Sequence, residues 1–312
     1  MRAKNILFIN SEMTPYLPAT DLATRSRTLV HSMQARKHEV RTCMPKWGII
    51  NERRNMLHEV IRLSGTSVSI NGSEHQLQIK VASLQVAKTQ IYFIDGEDYF
   101  RRKGMWCDSR GREYADLGER SIFFVRGLMD TVKRLNWKPD LVHCSGWMAA
   151  MAPLYLKKAI ANDPTFANVK VVMSLTGPVF KKILGKKFFT AISFGGVTRE
   201  DIADICPEDT CDFNQFMKIG VKYADGIIYE SKKVDESLKE YVAELGKPLL
   251  RYKKEERIAD EYEVFYEKVM RRRKVVAPVQ EVQEVQGVQE VQEVQGVQDV
   301  QEGQEVQEGQ EV

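Results

Sequence analysis

The sequence predicts an α/β fold of the Rossmann-like type, with a mostly parallel sheet and helices on both of its faces. Short apolar runs alternate with longer segments of helical spacing, starting with a strand at residues 5–10 and a helix at residues 21–35. Repeated strand–helix units of this kind place successive strands parallel to one another. Val68 and Ile70 precede Asn71-Gly72 in an alternating pattern, which predicts one antiparallel hairpin within this fold.

The other predicted strands and helices show the same alternation of short apolar runs and segments with helical spacing. Strands are predicted at residues 39–44, 90–95, 140–143, 169–174 and 226–229, and helices at residues 121–135 and 149–157. Ser231 is the predicted N-cap of the helix after the strand at 226–229. A last helix carries an apolar face that packs on the core or binds a partner, and this face consists of Ile258, Tyr262, Phe265, Tyr266 and Val269.

Ligands of open parallel sheets bind at the carboxyl ends of the strands. The positions of interest are therefore those directly after Asn10, Met44, Asp95, His143 and Ser174.

The composition indicates a globular protein of the cytoplasm. The chain has 312 residues, of which 43% are hydrophobic and 29% charged, and no apolar run approaches the ~20 residues of a membrane helix. The apolar run at residues 6–9 is too short for a signal peptide. Five scattered cysteines suit a reducing compartment, and the pair Cys206 and Cys211 lacks the further ligands that a zinc site needs, so no metal is expected.

Charge is distributed unevenly. The net charge is +3, but the residues after Val276 include nine acidic and no basic side chains, so the preceding body is considerably more basic. That body suits an anionic ligand such as a sugar nucleotide, whereas lysine and arginine are too dispersed to predict nucleic-acid binding. Two clusters are the exceptions, at residues 181–187 and 271–274.

The segment after Val276 is a tripeptide repeat of Glu or Gly, Val and Gln. A period of three matches neither a helix nor a strand, so we expect a disordered tail at 276–312 after a domain at 1–275. A β-forming Val/Gln tract is the alternative.

Several motifs occur in an order known from one enzyme family. They are NILFINSEMTP at 5–15, HEVR at 38–41 with MPKWG at 44–48, YFIDGEDYFRR at 92–102, DLVH at 140–143 with Trp147 and APLYL at 152–156, and a segment at 218–231 that includes YAD. Together they resemble the N-terminal half of bacterial glycogen/starch synthases, over residues 4–245.

The resemblance implies half of a GT-B fold, in which two Rossmann-like halves enclose the active site. It further implies ADP-glucose as donor, an α-glucan as acceptor, and neither metal nor cofactor. In that family the N-terminal half mainly holds the acceptor. Residues 246–275 are too few for the donor half, and the helix near Tyr262 resembles the family's final helix. The chain therefore looks like a synthase without its second domain.

Three family motifs are altered. The glycine loop K-T-G-G-L is replaced by a segment with Pro18 at the lysine position and Asp21, a predicted helix N-cap, at a glycine position. H-x-H-D-W becomes His143-Cys-Ser145-Gly146-Trp147, and T-I-H-N becomes SLTG at 174–177. Loss of one donor to a developing charge costs ~10²–10³ in rate, so we do not expect this chain to catalyse glucosyl transfer alone.

Three hypotheses remain open. The chain is a glucosyltransferase completed by a separate subunit with the donor half, a non-catalytic module that binds glucan or sugar nucleotide, or a scaffold that binds another protein. Aromatic rings and polar groups suited to sugars also occur in protein cores. The candidate binding residues are Tyr16, Trp47, Tyr99, Arg102, His143, Ser145 and Trp147.

Overall fold

The computed structural model describes residues 2–84 and 89–271. Its strands are β1 (Asn5–Asn10), β2 (Glu39–Pro45), β3 (His58–Glu59), β4 (Thr66–Ile70), β5 (Ser73–Leu84), β6 (Thr89–Asp95), β7 (Leu141–Ser145), β8 (Lys170–Leu175), β9 (Gly226–Tyr229) and β10 (Leu249–Leu250). Its α-helices are α1 (Asp21–Ala35), α2 (Glu97–Phe100), α3 (Leu117–Arg134), α4 (Ala152–Lys157), α5 (Lys186–Ala191), α6 (Phe213–Tyr223), α7 (Glu236–Glu244) and α8 (Ile258–Arg271).

The sheet has the order β10-β9-β8-β7-β1-β2-β6-β5-β3, and β4 pairs with β5. The strands from β10 to β6 in this order are parallel, whereas β5 runs antiparallel to its neighbours. This confirms the predicted mostly parallel α/β fold. The chain moves from β1 outward to β6 on one side and returns to β7 on the other, so the strand order reverses between β1 and β7. Open sheets bind ligands outside such a reversal point.

Helices cover both faces of the sheet, and adjacent residues of β8 show this. Gly220 of α6 lies against the Met173 side chain. Ser174 points to the opposite face, where its hydroxyl contacts His143 of β7 and, through that ring, α8. Because successive side chains of a strand alternate between faces, α6 and α8 belong to different layers. Strands buried on both sides need continuous apolar runs, which is why β1 reads Ile-Leu-Phe-Ile.

The predicted hairpin is confirmed as β4 and β5. Asn71 and Gly72 both have positive φ, 52° and 78°, as a two-residue type I′ turn requires. The last helix is also confirmed, as α8, and its five predicted apolar residues are buried against the sheet. A partner does not occupy this face, because the core of the chain does.

Two predicted helix caps are wrong by a few residues. Thr20 caps α1 by accepting a hydrogen bond from the Ala23 N–H at 3.0 Å, so Asp21 is the first helical residue. Asp235 caps α7, whereas the Ser231 hydroxyl accepts from the Lys233 N–H in a local turn. Both caps lie in loops where more than one residue has a suitable side chain, and the path of the loop selects among them.

The expected tail lies outside the described residues. The chain divides into units of 1–273 and 274–312, and the disorder and the domain boundary expected there stay predictions. In the described part, no helix combines the length and the apolar character that crossing a membrane requires.

Candidate functional site

Four polar side chains form a row across the carboxyl ends of adjacent strands, and we call them the strand-end row: Asn10, Ser145, Ser174 and Glu230. Asn10 pairs in register with Ser145, and Ser145 pairs with Ser174. Glu230 directly follows β9, the next strand along. All four are at most 3% exposed, and the row adjoins the reversal point of the strand order. This is the place where the fold predicts a ligand site.

Ser145 is bonded inside the protein. Its hydroxyl donates to Oε2 of Glu230 at 2.7 Å, and the two residues are 85 positions apart in sequence. Burial raises the pKa of Glu230, and the hydroxyls of Ser145 and Ser174 together with the positive charge of Arg25 oppose that rise only in part. The Ser145 hydroxyl is therefore satisfied by Glu230, whereas Oε1 of Glu230 and Nδ2 of Asn10 are buried without a hydrogen-bond partner in the described part of the chain.

His143 is likewise engaged on both of its ring nitrogens. Nε2 lies 2.6 Å from the Ser174 hydroxyl, and Nδ1 lies 2.7 Å from the Tyr266 hydroxyl of α8. Burial lowers the pKa of His143 to about 3, so the imidazole is neutral at physiological pH. The ring joins β7, β8 and α8 and is not placed to accept a proton from a substrate.

Arg25 of α1 lies over the same edge of the sheet. One terminal nitrogen donates to the Lys253 carbonyl at 2.8 Å, and the guanidinium stacks 4.6 Å from the centre of the Tyr252 ring. Tyr252 and Lys253 belong to the short connection between β10 and α8, which crosses the strand ends. The arginine is only 5% exposed, so its charge is used to hold this connection.

The two candidate tryptophans lie in one packed cluster. Trp47 donates from Nε1 to the Ser11 carbonyl at 2.8 Å, and its ring centre is 6.2 Å from that of Trp147. Trp147 also contacts Phe180 edge-on at 5.5 Å. Each tryptophan is 1% exposed. The guanidinium of Arg120 lies 5.0 Å from the centre of the Trp47 ring, and burial lowers the pKa of Arg120 to about 10. These rings are core residues in this structure.

Gly146 explains one altered family motif. Its φ of 81° is accessible mainly to glycine, and a Cβ at this position would collide with the side chain of Ser11. The Ser11 hydroxyl is fixed there because it accepts from the Met148 N–H at 3.0 Å and donates to the Ser145 carbonyl at 3.2 Å. The family's aspartate therefore has no room at this turn.

Tyr99 and Arg102 lie apart from the strand-end row. The Tyr99 hydroxyl contacts His75 Nε2 at 3.2 Å, and the side chain is 7% exposed. Arg102 forms a two-pronged pair with Asp116 and stacks 4.3 Å from the centre of the Tyr114 ring. Both side chains are thus held by neighbours within the protein.

Tyr16 differs from the other candidates because it borders open cavities. Its ring packs edge-on against Phe93 at 4.9 Å, while the residue lines two surface cavities. Burial raises the pKa of Tyr16 to about 12, although nearby Arg27 counteracts the shift. The hydroxyl makes no hydrogen bond to any residue in the described part of the chain.

The structure brings some candidates together and adds others. Ser145 belongs to the strand-end row and His143 contacts that row through Ser174, while Trp47 and Trp147 share one cluster. Sequence reasoning missed Glu230 as a site residue, although a charged residue directly after the apolar strand β9 was a usable signal. The roles of Arg25 and Tyr266 had no such signal, since each depends on packing between distant elements.

The turn at Gly146 allows a stability test. Gly146→Ala should lower the free energy of unfolding by ~1–3 kcal/mol, because the new Cβ meets Ser11 at a φ that alanine disfavours. Urea denaturation of the intact chain measures this. Gly111→Ala is the control, since Gly111 has a φ of 75° but open space around it. Equal losses in both variants would contradict the predicted collision.

The burial of Glu230 predicts a pH dependence. The pKa of Glu230 in the folded state is raised above 4.5, so the folded state keeps its proton to higher pH than the unfolded state. The free energy of unfolding should therefore fall as pH rises above about 4.5, until the folded pKa is passed. Glu230→Gln should remove this contribution, and urea denaturation from pH 4.5 to 8 compares the two proteins. The control Glu244→Gln, on the exposed end of α7, should retain it.

The bond between His143 and Tyr266 predicts a local loss of stability. Tyr266→Phe leaves the buried Nδ1 of His143 without its partner, so the free energy of unfolding should drop by ~1–3 kcal/mol. Tyr241→Phe, at a half-buried position of α7, should change it by less than ~0.5 kcal/mol. Thermal or urea denaturation checks both, and an unchanged Tyr266→Phe variant would show that the bond contributes nothing.

Comparisons with known proteins agree on one family. A family model described as the starch synthase catalytic domain matches residues 5–250. A glycogen synthase of Chlorobaculum parvum is 32% identical over 229 residues, which are 72% of this chain and 45% of that protein. A glycogen synthase of Chlorobium chlorochromatii is 37% identical over 175 residues, which are 56% of this chain and 36% of that protein. The chain spans less than half the length of these curated relatives.

A solved structure shows the same fold. The catalytic domain of starch synthase IV from Arabidopsis thaliana, bound to ADP and acarbose, superposes with a TM-score of 0.64 at 14% identity. The match covers 80% of this chain and 51% of the plant chain. Taken with the family match over most of the described residues, these relatives show that the chain belongs to the starch synthase catalytic domain family.

Proposed function

We propose that this chain binds α-glucan and does not transfer glucose on its own. The main support for the proposal is that the residues of the strand-end row are buried and inaccessible to a substrate. In the resemblance to glycogen/starch synthases, Ser145 occupies the position of the histidine that faces the reacting sugar. Here Ser145 is 1% exposed and its hydroxyl donates to Glu230. A sugar reaches it only if that bond and the packing of α8 are disrupted.

The loop after β1 supports the same proposal. Transfer from a nucleotide sugar requires positive charge or N–H donors at the leaving diphosphate. Pro18 has no N–H to offer, and Asp21 adds a negative charge at the start of α1. Glu12 is a further acidic group in this loop, where its carboxyl accepts a hydrogen bond from Thr20 at 2.8 Å. The arrangement disfavours a diphosphate.

Arg25 does not compensate for these changes. Its guanidinium is directed to the Lys253 carbonyl and the Tyr252 ring, and the residue is nearly inaccessible. His143 is a neutral, doubly bonded imidazole. The polar groups at the strand ends thus stabilise the closed edge, and the one arginine described there, Arg25, is too deeply buried to meet a charge that develops on a substrate.

The choice of α-glucan as the ligand rests on the similarity to the family. The relatives are named glycogen synthases, and the plant structure is bound to ADP and acarbose. An α-glucan presents hydroxyl pairs and apolar ring faces, which suit amide, guanidinium and aromatic side chains. Binding of this kind needs no diphosphate site and is therefore compatible with the altered loop.

The test uses the full chain in two assays. We expect slower migration in native gels that contain glycogen, relieved by soluble maltooligosaccharide. We also expect transfer of labelled glucose from ADP-glucose to glycogen to be at least ~10³-fold below that of the Chlorobaculum parvum glycogen synthase assayed in parallel.

Each assay can contradict one part of the proposal. Transfer at a rate close to that of the relative would overturn the loss of catalysis. Migration that glycogen does not change would overturn glucan binding. Ser145→Ala should leave migration unchanged, because Ser145 is already bonded within the protein.

A further inference from the structure

Two cysteines that the candidate site does not use meet in the connection between α5 and α6. Cys206 and Cys211 are both 0% exposed, and their thiols are in hydrogen-bond contact with each other. All five cysteines of the chain are free thiols in this structure. Among the described residues, no group of His, Cys, Asp and Glu side chains could hold a metal ion, so shared metal ligation does not explain the contact.

The backbone holds each of these cysteines in place. The N–H of Cys206 donates to the Ile202 carbonyl at 2.9 Å. Cys211 exchanges two backbone hydrogen bonds with Leu184, at 2.8 and 2.9 Å. The residue directly after it, Asp212, is the N-cap of α6 and accepts a hydrogen bond from the N–H of the third helical residue at 2.8 Å. The fold therefore fixes the contact between the thiols from both sides.

An exposed loop of four residues, 207–210, joins the two buried cysteines. Arg199 holds this loop, because its guanidinium donates to the Pro207 carbonyl at 3.0 Å and to the Asp209 carboxylate at 2.8 Å. Exposed ion pairs contribute little to stability, and segments with few buried contacts open locally without global unfolding. Opening of this loop would bring the thiols to the surface while the sheet stays intact.

Two thiols in contact can become a disulfide with only a small movement of their sulfur atoms, which then lie about 2.0 Å apart. A loop of six residues gains less stability from a disulfide than a long loop does, which favours a bond that thiols can reduce again. Burial, the neighbouring thiol of Cys206 and the charge of Asp212 all raise the pKa of Cys211. Exchange with outside reagents is therefore slow as long as the loop is closed.

We propose that Cys206 and Cys211 form a reversible disulfide that fixes the loop at 207–210 and the start of α6 under oxidising conditions. The oxidant is a low-molecular-weight disulfide of the glutathione class. One cysteine attacks this disulfide, which releases one thiol and leaves a mixed disulfide on the protein. The second cysteine then attacks the protein sulfur of the mixed disulfide and releases the second thiol. Two protein thiols are oxidised, and the reagent is reduced to two thiols that take up both protons.

The experiment equilibrates the full chain in mixtures of reduced and oxidised glutathione. Acid quenching, unfolding, alkylation of the remaining thiols and tryptic mass mapping follow. Both cysteines lie in one tryptic peptide, residues 200–218, because no Lys or Arg occurs between Arg199 and Lys218. As oxidised glutathione increases, we expect this peptide to change from a doubly alkylated form to an unlabelled form that lacks two hydrogens. Cys43 and Cys144 lie buried on separate strands and should stay alkylated as internal controls.

Two results of this mapping would overturn the disulfide. A peptide that stays doubly alkylated at every glutathione ratio would show that the two thiols only pack as small apolar groups. A peptide that carries bound glutathione in place of the internal bond would show that the two sulfur atoms cannot reach each other.

The disulfide also predicts a change in thermal stability. The oxidised wild type should melt roughly 4–8 °C above the reduced wild type, because closure of a loop of this length restricts the unfolded chain. Cys206→Ala cannot form the bond and should melt at the same temperature under both conditions. Equal melting temperatures of the oxidised and reduced wild type, with the bond formed, would overturn its role in fixing the loop.

The route through the loop gives a kinetic test. Asp209→Ala removes the ion pair with Arg199 and should increase the rate of disulfide formation by about twofold to fivefold. Glu208→Ala is the matched control, because it removes the same charge from the adjacent exposed position, and its rate should equal that of the wild type. Equal rates in the two variants would overturn opening of the loop as the route to the thiols.

Discussion

Burial of polar groups at the strand ends is the constraint on which the rest of this structure depends. A parallel sheet collects side chains from different strands at one edge, and each polar atom taken out of water there needs a partner. Ser145 finds Glu230, and both nitrogens of His143 find hydroxyls. Removal of one of these partners would leave a further buried group unsatisfied, so the two bonded pairs stabilise this edge of the sheet.

Helix α8 supplies a partner for one of these buried polar groups and covers the strand ends. Tyr266 delivers the hydroxyl that His143 requires, and Phe265 and Val269 pack on Gly226 of β9. Arg25 then anchors the connection that leads into the helix. The same contacts that complete the core also cover the place where open α/β sheets bind ligands. The contacts that stabilise the fold are therefore also the contacts that close the strand ends.

Membership in a family does not by itself show that a protein catalyses the family's reaction. The chain has the fold of the starch synthase catalytic domain, while the turn at Gly146 excludes a larger residue and Ser145 is turned to an internal carboxyl. Function depends on side chains at a site, and a scaffold tolerates their replacement if packing is preserved.

The sequence by itself determined the strands other than the two-residue β3 and β10, the hairpin at Asn71-Gly72 and the amphipathic face of α8, because local periodicity and turn preferences encode them. Only the tertiary structure decided which polar residues are accessible. Ser145 and Glu230 are 85 residues apart, and His143 and Tyr266 are 123 apart. Such pairings arise when distant elements pack together, and no local pattern shows whether a serine or a tryptophan will face solvent or core.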